Sequence, residues 1–146
     1  MEFTSRREFI RKAGTIAGGI CLGGMILPVQ SCKPVTLLSG TKEGNAIRVA
    51  ISQLEKSKSG TGVLRHDALP GPLYISSPEE GKYNAVLMIC THKQCEIKPS
   101  GKFLVCPCHG SEFKADGSVM TPPAQKPLKA YAAAWKGEFI EIEITD

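Results

Sequence analysis

The chain has no block of like charge beyond its first twelve residues. Its formal net charge is +4, from 18 Lys and Arg against 14 Asp and Glu, and four of those bases fall within positions 1–12. From Cys32 onward, 14 bases face 12 acids, scattered along the sequence. That balance excludes a basic patch for nucleic acid and reads as an ordinary solvated surface. No internal repeat is present, which excludes a solenoid or propeller. Beyond the N-terminal segment no stretch carries a helical apolar period, so a helix bundle is not expected. At 146 residues there is room for one domain and an N-terminal segment, not for two domains. Histidine is scarce, at three residues in the whole chain.

Two of those three histidines, and four of the six cysteines, are crowded into 22 positions. The stretch opens with Cys90-Thr91-His92-Lys93-Gln94-Cys95 and closes with Cys106-Pro107-Cys108-His109-Gly110-Ser111. Thiolate and imidazole are the ligands of zinc, copper and iron–sulfur centres. Six groups are too many for one tetrahedral zinc, which takes four. Two unrelated disulfides would leave both histidines unexplained. A two-iron cluster with two Cys on one iron and two His on the other accommodates four of the six, with one disulfide from the remaining cysteines. That ligand set is matched to a known one rather than derived from the spacing.

The two boxes resemble those of the Rieske iron–sulfur proteins, C-x-H-x-G-C and C-P-C-H-G-S. The resemblance implies one [2Fe–2S] cluster. It implies Cys90 and Cys106 on the inner iron and His92 and His109 on the outer, more exposed one. It also implies a Cys95–Cys108 disulfide, which points to the exported, quinol-linked branch of the family. Ser111 would donate a hydrogen bond to a cluster sulfide. Three positions depart from the pattern. Gln94 stands where the family has a glycine that permits a positive φ, so the loop needs either a strained residue there or a slightly different turn. Lys93 stands where an apolar residue meets the partner in quinol-oxidising complexes. Phe113 replaces a Tyr whose hydroxyl donates to a ligand sulfur in high-potential members.

The N-terminus is read as an address. Ser5-Arg6-Arg7-Glu8-Phe9-Ile10-Arg11-Lys12 resembles a twin-arginine export signal centred on Arg6 and Arg7. Residues 13–31 carry no charge, hold five glycines and include Pro28. A spanning helix needs about 20 apolar residues, so this stretch spans marginally and reads better as a signal core. Cys21 within it is an apolar filler. Val29-Gln30-Ser31-Cys32 resembles a lipoprotein cleavage box, with Cys32 as the lipidated residue. An uncleaved helical anchor is the alternative. Positions 32–45 read as a tether, and 46–146 as the folded domain.

Within that domain the pattern is of short strands. Ala46–Ser52 alternates, with Ile47, Val49 and Ile51 on one face. Ser57–Gly62 reads as a polar turn, Leu73–Ser76 as a strand and Pro78–Gly81 as a turn. Tyr83–Ile89 reads as a buried strand that delivers Cys90. Phe103–Val105 is a strand between the boxes, and Asp116-Gly117 a hairpin turn. Leu128–Trp135 and Phe139–Thr145 are strands joined at Lys136-Gly137. The Pro-rich stretch 121–127 stands where the family has a loop covering its cluster, and His66 falls in an exposed loop. The expected fold is all-β, a small sandwich or barrel with a two-loop cluster-binding subdomain.

The function that the resemblances to Rieske proteins and to an export signal imply is one-electron transfer outside the cytoplasmic membrane, at the periplasmic or outer face of a bacterial membrane, anchored by lipid or by an N-terminal helix. Expected partners are a cytochrome b-type or other quinol-oxidising subunit and a c-type cytochrome or similar acceptor, with no nucleic acid. A stand-alone Rieske lipoprotein, or a small subunit serving another redox enzyme, is the alternative. The chain offers no second domain for catalysis on its own.

Overall fold

In a computed structural model of the chain, residues 35–144 are described. The expectations for Arg6 and Arg7, for the apolar stretch 13–31 and for Cys32 lie outside them. Among the described residues no helix is long and apolar enough to cross a membrane.

Thirteen strands form three sheets among these residues. The middle sheet joins β1 (Leu37–Leu38), β4 (Thr61–Leu64), β5 (Leu73–Glu79), β6 (Lys82–Leu87) and β11 (Ala130–Tyr131), in that spatial order. On one side lies a sheet of β12 (Ala133–Lys136), β13 (Phe139–Glu143), β3 (Ala46–Ala50) and β2 (Gly40–Glu43). The third, smaller sheet is β10 (Val119–Thr121), β9 (Glu112–Phe113), β8 (Phe103–Val105) and β7 (Lys98–Ser100). All neighbours are antiparallel except β1 and β4.

The middle sheet is buried on both faces, which is why consecutive residues are apolar at Leu73–Ile75 of β5 and Ala85–Leu87 of β6. Leu73, Ile75, Ala85 and Leu87 point to one core, with Ile47, Val49, Ile140 and Ile142 opposite. Tyr74, Val86 and Met88 point to the other, with Ile97, Leu104 and Phe113. Side chains alternate along a strand, so Val86, Met88 and Cys90 share a face. The parity of β6 therefore delivers Cys90 into the second core.

Five readings of the sequence need correction. Pro78 and Glu79, read as turn, close β5. Leu128–Trp135, read as one strand, is split into β11 and β12, which lie in different sheets. Within positions 32–45, expected as tether, Leu37–Leu38 and Gly40–Glu43 are strands. The Ser, Thr, Gly and Lys of this stretch suit β2, an edge strand with solvent on its outer side. Gln53 clamps the entry, accepting from the Ser39 N–H at 2.9 Å and donating to its carbonyl at 2.9 Å. Gly40 is required there, because a Cβ would come within 2.6 Å of Ile47 Cγ2. Next, the strand expected over 46–52 ends at Ala50, and a short helix follows, α1 (Ile51–Glu55), where none was expected. The Ile51 N–H is taken by the Glu138 carbonyl, and Leu54 closes the end of the first core. Finally, Thr61 and Gly62, read as turn, begin β4. Gly62 lies against Leu38, 2.6 Å from a would-be Cβ, so the absence of a side chain is what lets β1 pack.

Candidate metal centre

Both boxes are hairpin tips of the same form. In the first, the Cys90 N–H donates to the Cys95 carbonyl at 2.8 Å and the Gln94 N–H to the Cys90 carbonyl at 2.9 Å. In the second, the Cys106 N–H donates to the Ser111 carbonyl at 2.8 Å and the Gly110 N–H to the Cys106 carbonyl at 3.0 Å. Each tip thus has four loop residues, and the fourth has a positive φ: 58° at Gln94 and 76° at Gly110. The missing glycine of box one is met by a glutamine held in the left-handed region, not by a different turn. The arms continue the pairing. Ile97 donates to the Met88 carbonyl below box one, and Leu104 pairs with Phe113 below box two. Parity turns Met88, Cys90, Leu104, Cys106, Ser111 and Phe113 toward the second core, where all are buried.

The two tips meet. Cys95 and Cys108 form a disulfide across them, 13 residues apart in sequence. The sulfurs of Cys95, Cys106 and Cys108 lie within 4.8 Å of one another. Two of these are bonded to each other, so this is no three-thiolate site; it shows that the bridge abuts Cys106. Cys90 and Cys106 are free thiols, 0% and 1% exposed. The His92 and His109 rings stand edge to face, centroids 4.8 Å apart and planes at 83°. His92 is half-buried and His109 exposed. His92 Nδ1 is buried without a hydrogen-bond partner. A buried nitrogen that nothing satisfies is costly unless it serves as a ligand. Two dry thiols and two adjacent imidazoles, one with an orphaned inward nitrogen, fit a His₂/Cys₂ cluster.

The Pro-rich stretch packs over both tips. The Ala124 N–H donates to Ser111 Oγ at 3.0 Å, and Thr91 Oγ1 donates to the Lys126 carbonyl at 2.7 Å. Thr91 and Ala124 escaped the sequence reading. Thr91 is a box residue whose polarity was the available signal; Ala124 acts through its backbone and gave none. At the flank of box one, Arg65 pairs with Glu96 through contacts of 2.5 and 3.3 Å. That hydrogen bond, then the carboxylate's charge, raises the Arg65 pKa further above its ordinary value. His66 is half-buried, and its Nδ1 accepts the Ala68 N–H in a local turn apart from the tips.

A family model described as the Rieske [2Fe-2S] domain matches residues 48–132. The cytochrome b6-f complex iron-sulfur subunit 2 of Nostoc is 34% identical over 110 residues, covering 73% of this chain and 61% of that subunit. The cytochrome b6-f complex iron-sulfur subunit of Chlorobaculum tepidum is 28% identical over 131 residues, covering 86% and 68%. Among solved structures, the plasma membrane Rieske protein PetC3 of the cyanobacterium Synechocystis superposes with a TM-score of 0.55 at 31% identity, covering 64% of this chain and 94% of that one. With the paired tips, the bridge and a family match over more than half its length, the chain belongs to the Rieske [2Fe–2S] proteins and carries one [2Fe–2S] cluster for electron transfer.

Proposed function

We propose that this protein is the iron–sulfur subunit of a quinol-oxidising cytochrome b-type complex, held at the outer face of a bacterial membrane. The observation that carries the reading is the asymmetry of the tips: two dry thiols beneath, two imidazoles toward the surface, and a disulfide between the loops. The bound cluster supplies uptake and release of one electron.

The chain's own residues do the rest. Cys90 and Cys106 would hold one iron through thiols in a buried core, and His92 and His109 would hold the other. The orphaned Nδ1 of His92 faces inward, so Nε2 is the atom left to hold or release a proton alongside the electron. His109, the exposed ring, is the contact for a donor or acceptor. Ser111 Oγ accepts the Ala124 N–H, which fixes the hydroxyl and leaves its proton free for a cluster sulfur. Phe113 offers no donor, which favours a lower potential and a low-potential quinol pool. The partners are a cytochrome b-type subunit and a c-type cytochrome or similar acceptor. The names of the Nostoc and Chlorobaculum relatives support that assignment. Export through Arg6 and Arg7, with lipidation at Cys32 or retention of the apolar stretch as a helix, would anchor the protein.

One observation favours a second reading. Lys93, next to His92, is exposed at the tip, where a quinol-site docking surface would be apolar. A stand-alone Rieske lipoprotein, or a small subunit of another redox enzyme, would tolerate that charge. Redox titration of the full-length protein followed by electron paramagnetic resonance separates the readings. A Rieske-type signal appearing with ascorbate supports quinol oxidation. A signal that needs dithionite supports the accessory carrier. Bound zinc with no iron signal overturns the ligand assignment.

A further inference from the structure

A groove of about 510 Å³ lies at the other end of β6 from Cys90, between the β5–β6 turn, α1 and the β12–β13 turn. At 3.3 Å per residue the nine positions from Gly81 to Cys90 put it roughly 25–30 Å from the cluster loops. It therefore plays no part in holding the cluster.

Its walls are aromatic and its rim is acidic. Tyr83, Trp135 and Phe139 line it, with Glu55, Glu80 and Glu138 at the edge. Trp135 is 60% exposed, the only tryptophan in the chain. Its indole is nonetheless held in place: Nε1 donates to the Gly137 carbonyl at 2.5 Å, and the ring lies over the Gly81 turn. Among the described residues, none of the three glutamates has an ion-pair partner, whereas Glu43, Glu79, Glu96 and Glu141 all do. Among the described residues, no base lines the groove. Arg48 stacks on the Phe139 ring at 5.8 Å, but its charge is taken by Glu43 at 2.9 Å and Glu141 at 3.2 Å. A second hollow of about 260 Å³ shares Ile51, Glu55, Glu80, Gly81 and Tyr83, so the groove is longer than one side chain.

An exposed, preset indole beside unpaired carboxylates is the surface that recognises a cation. The ring face attracts it through its quadrupole and the carboxylates through their charge. We propose that this groove docks an arginine- or lysine-bearing peptide segment of a partner protein. Because it is remote from His109, a partner seated there leaves the electron-exchange tip free. The protein would be held at one end and react at the other.

The test uses the fluorescence of Trp135 in the full-length holoprotein. Acetylated, amidated triarginine is titrated at low ionic strength, with triglutamine as the neutral control. The expected result is a saturable change with triarginine alone, weakened as salt is raised. Combining Glu55→Gln, Glu80→Gln and Glu138→Gln should weaken binding by at least about tenfold, taking roughly two- to fivefold per exposed carboxylate. Glu80→Gln alone should give its single share, and Glu143→Gln, outside the groove, should have no effect. The cluster's resonance signal should be unchanged in every variant. No saturable change, or equal affinity in the triple variant, overturns the proposal. So does a fluorescence change that follows protein concentration without peptide, together with a dimer in sedimentation, because a second copy then fills the groove.

Discussion

Phe113→Tyr adds one hydroxyl to a ring with no exposed surface, in the same core as Cys106. Phe113 lies two positions beyond Ser111 on the arm that returns from box two, and both side chains face the cluster side of the hairpin. The ring is fully buried, so the new group must find an acceptor inside the core or remain unsatisfied. If it donates to a ligand sulfur, it favours the reduced, more negative state. A bond stronger in that state by about 1–2 kcal/mol raises the midpoint by roughly 40–90 mV, since 59 mV is a tenfold change for one electron. The assay is a redox titration followed by electron paramagnetic resonance, with a thermal melt of the same sample. The expected outcome is a higher midpoint and an unchanged melt. A midpoint that does not move refutes the account of Phe113 as a missing donor. If the melt also falls, by the equivalent of about 1–3 kcal/mol, the hydroxyl is buried without a partner.

Four further outcomes are expected. Replacing Cys95 and Cys108 together with Ser opens a loop of about 14 residues and should cost roughly 3 kcal/mol in the chain-entropy model, read as earlier cluster bleaching on heating. Gln94→Val, forcing a β-branched residue into φ 58°, should destabilise by about 1–2 kcal/mol, while Gln94→Gly should be neutral or stabilising in the same denaturant titration. Ser111→Ala removes the hydroxyl that Ala124 orients and should lower the midpoint; an equal or higher potential would show that the hydroxyl does not face the cluster. Asp116 has its pKa lowered by hydrogen bonds from Ser118, side chain first and then backbone. A depressed carboxylate stabilises the fold above its unfolded pKa, and the contribution fades as pH falls through the folded one. Stability measured from pH 6 down to pH 2 should therefore decline less steeply in Asp116→Asn.

The local chemistry of the tips was legible because it is short-range. Phe103–Val105 between the two boxes is a strand as expected. The family's glycine in box one left a strained residue or a different turn open at Gln94, and the structure decides for the positive φ. The Asp116-Gly117 turn is likewise a matter of neighbouring residues: Ser118 bonds to the Asp116 carboxylate, and Gly117 takes φ 87°. Less was legible where partners are distant. The composition of Gly40–Glu43 does not distinguish a tether from an edge strand, because both are polar and solvated; only β3 alongside decides. Ile51 continues an alternating pattern, yet the chain turns into α1, where Leu54 closes the end of a core assembled from strands elsewhere in the chain.

By itself, the sequence carried the two Cys–His boxes, the strand that delivers Cys90 and the strand between the boxes, since spacing and strand pattern are properties of adjacent residues. Tertiary structure decided the rest. It joined Cys95 to Cys108, set His92 against His109, brought the Ala124 N–H to Ser111 across 13 residues, and left Trp135 standing in an acidic groove at the far end of β6. Those are pairings between segments that no local rule connects. They form because the middle sheet must bury both of its faces at once, and doing so fixes what each end of the domain presents to solvent.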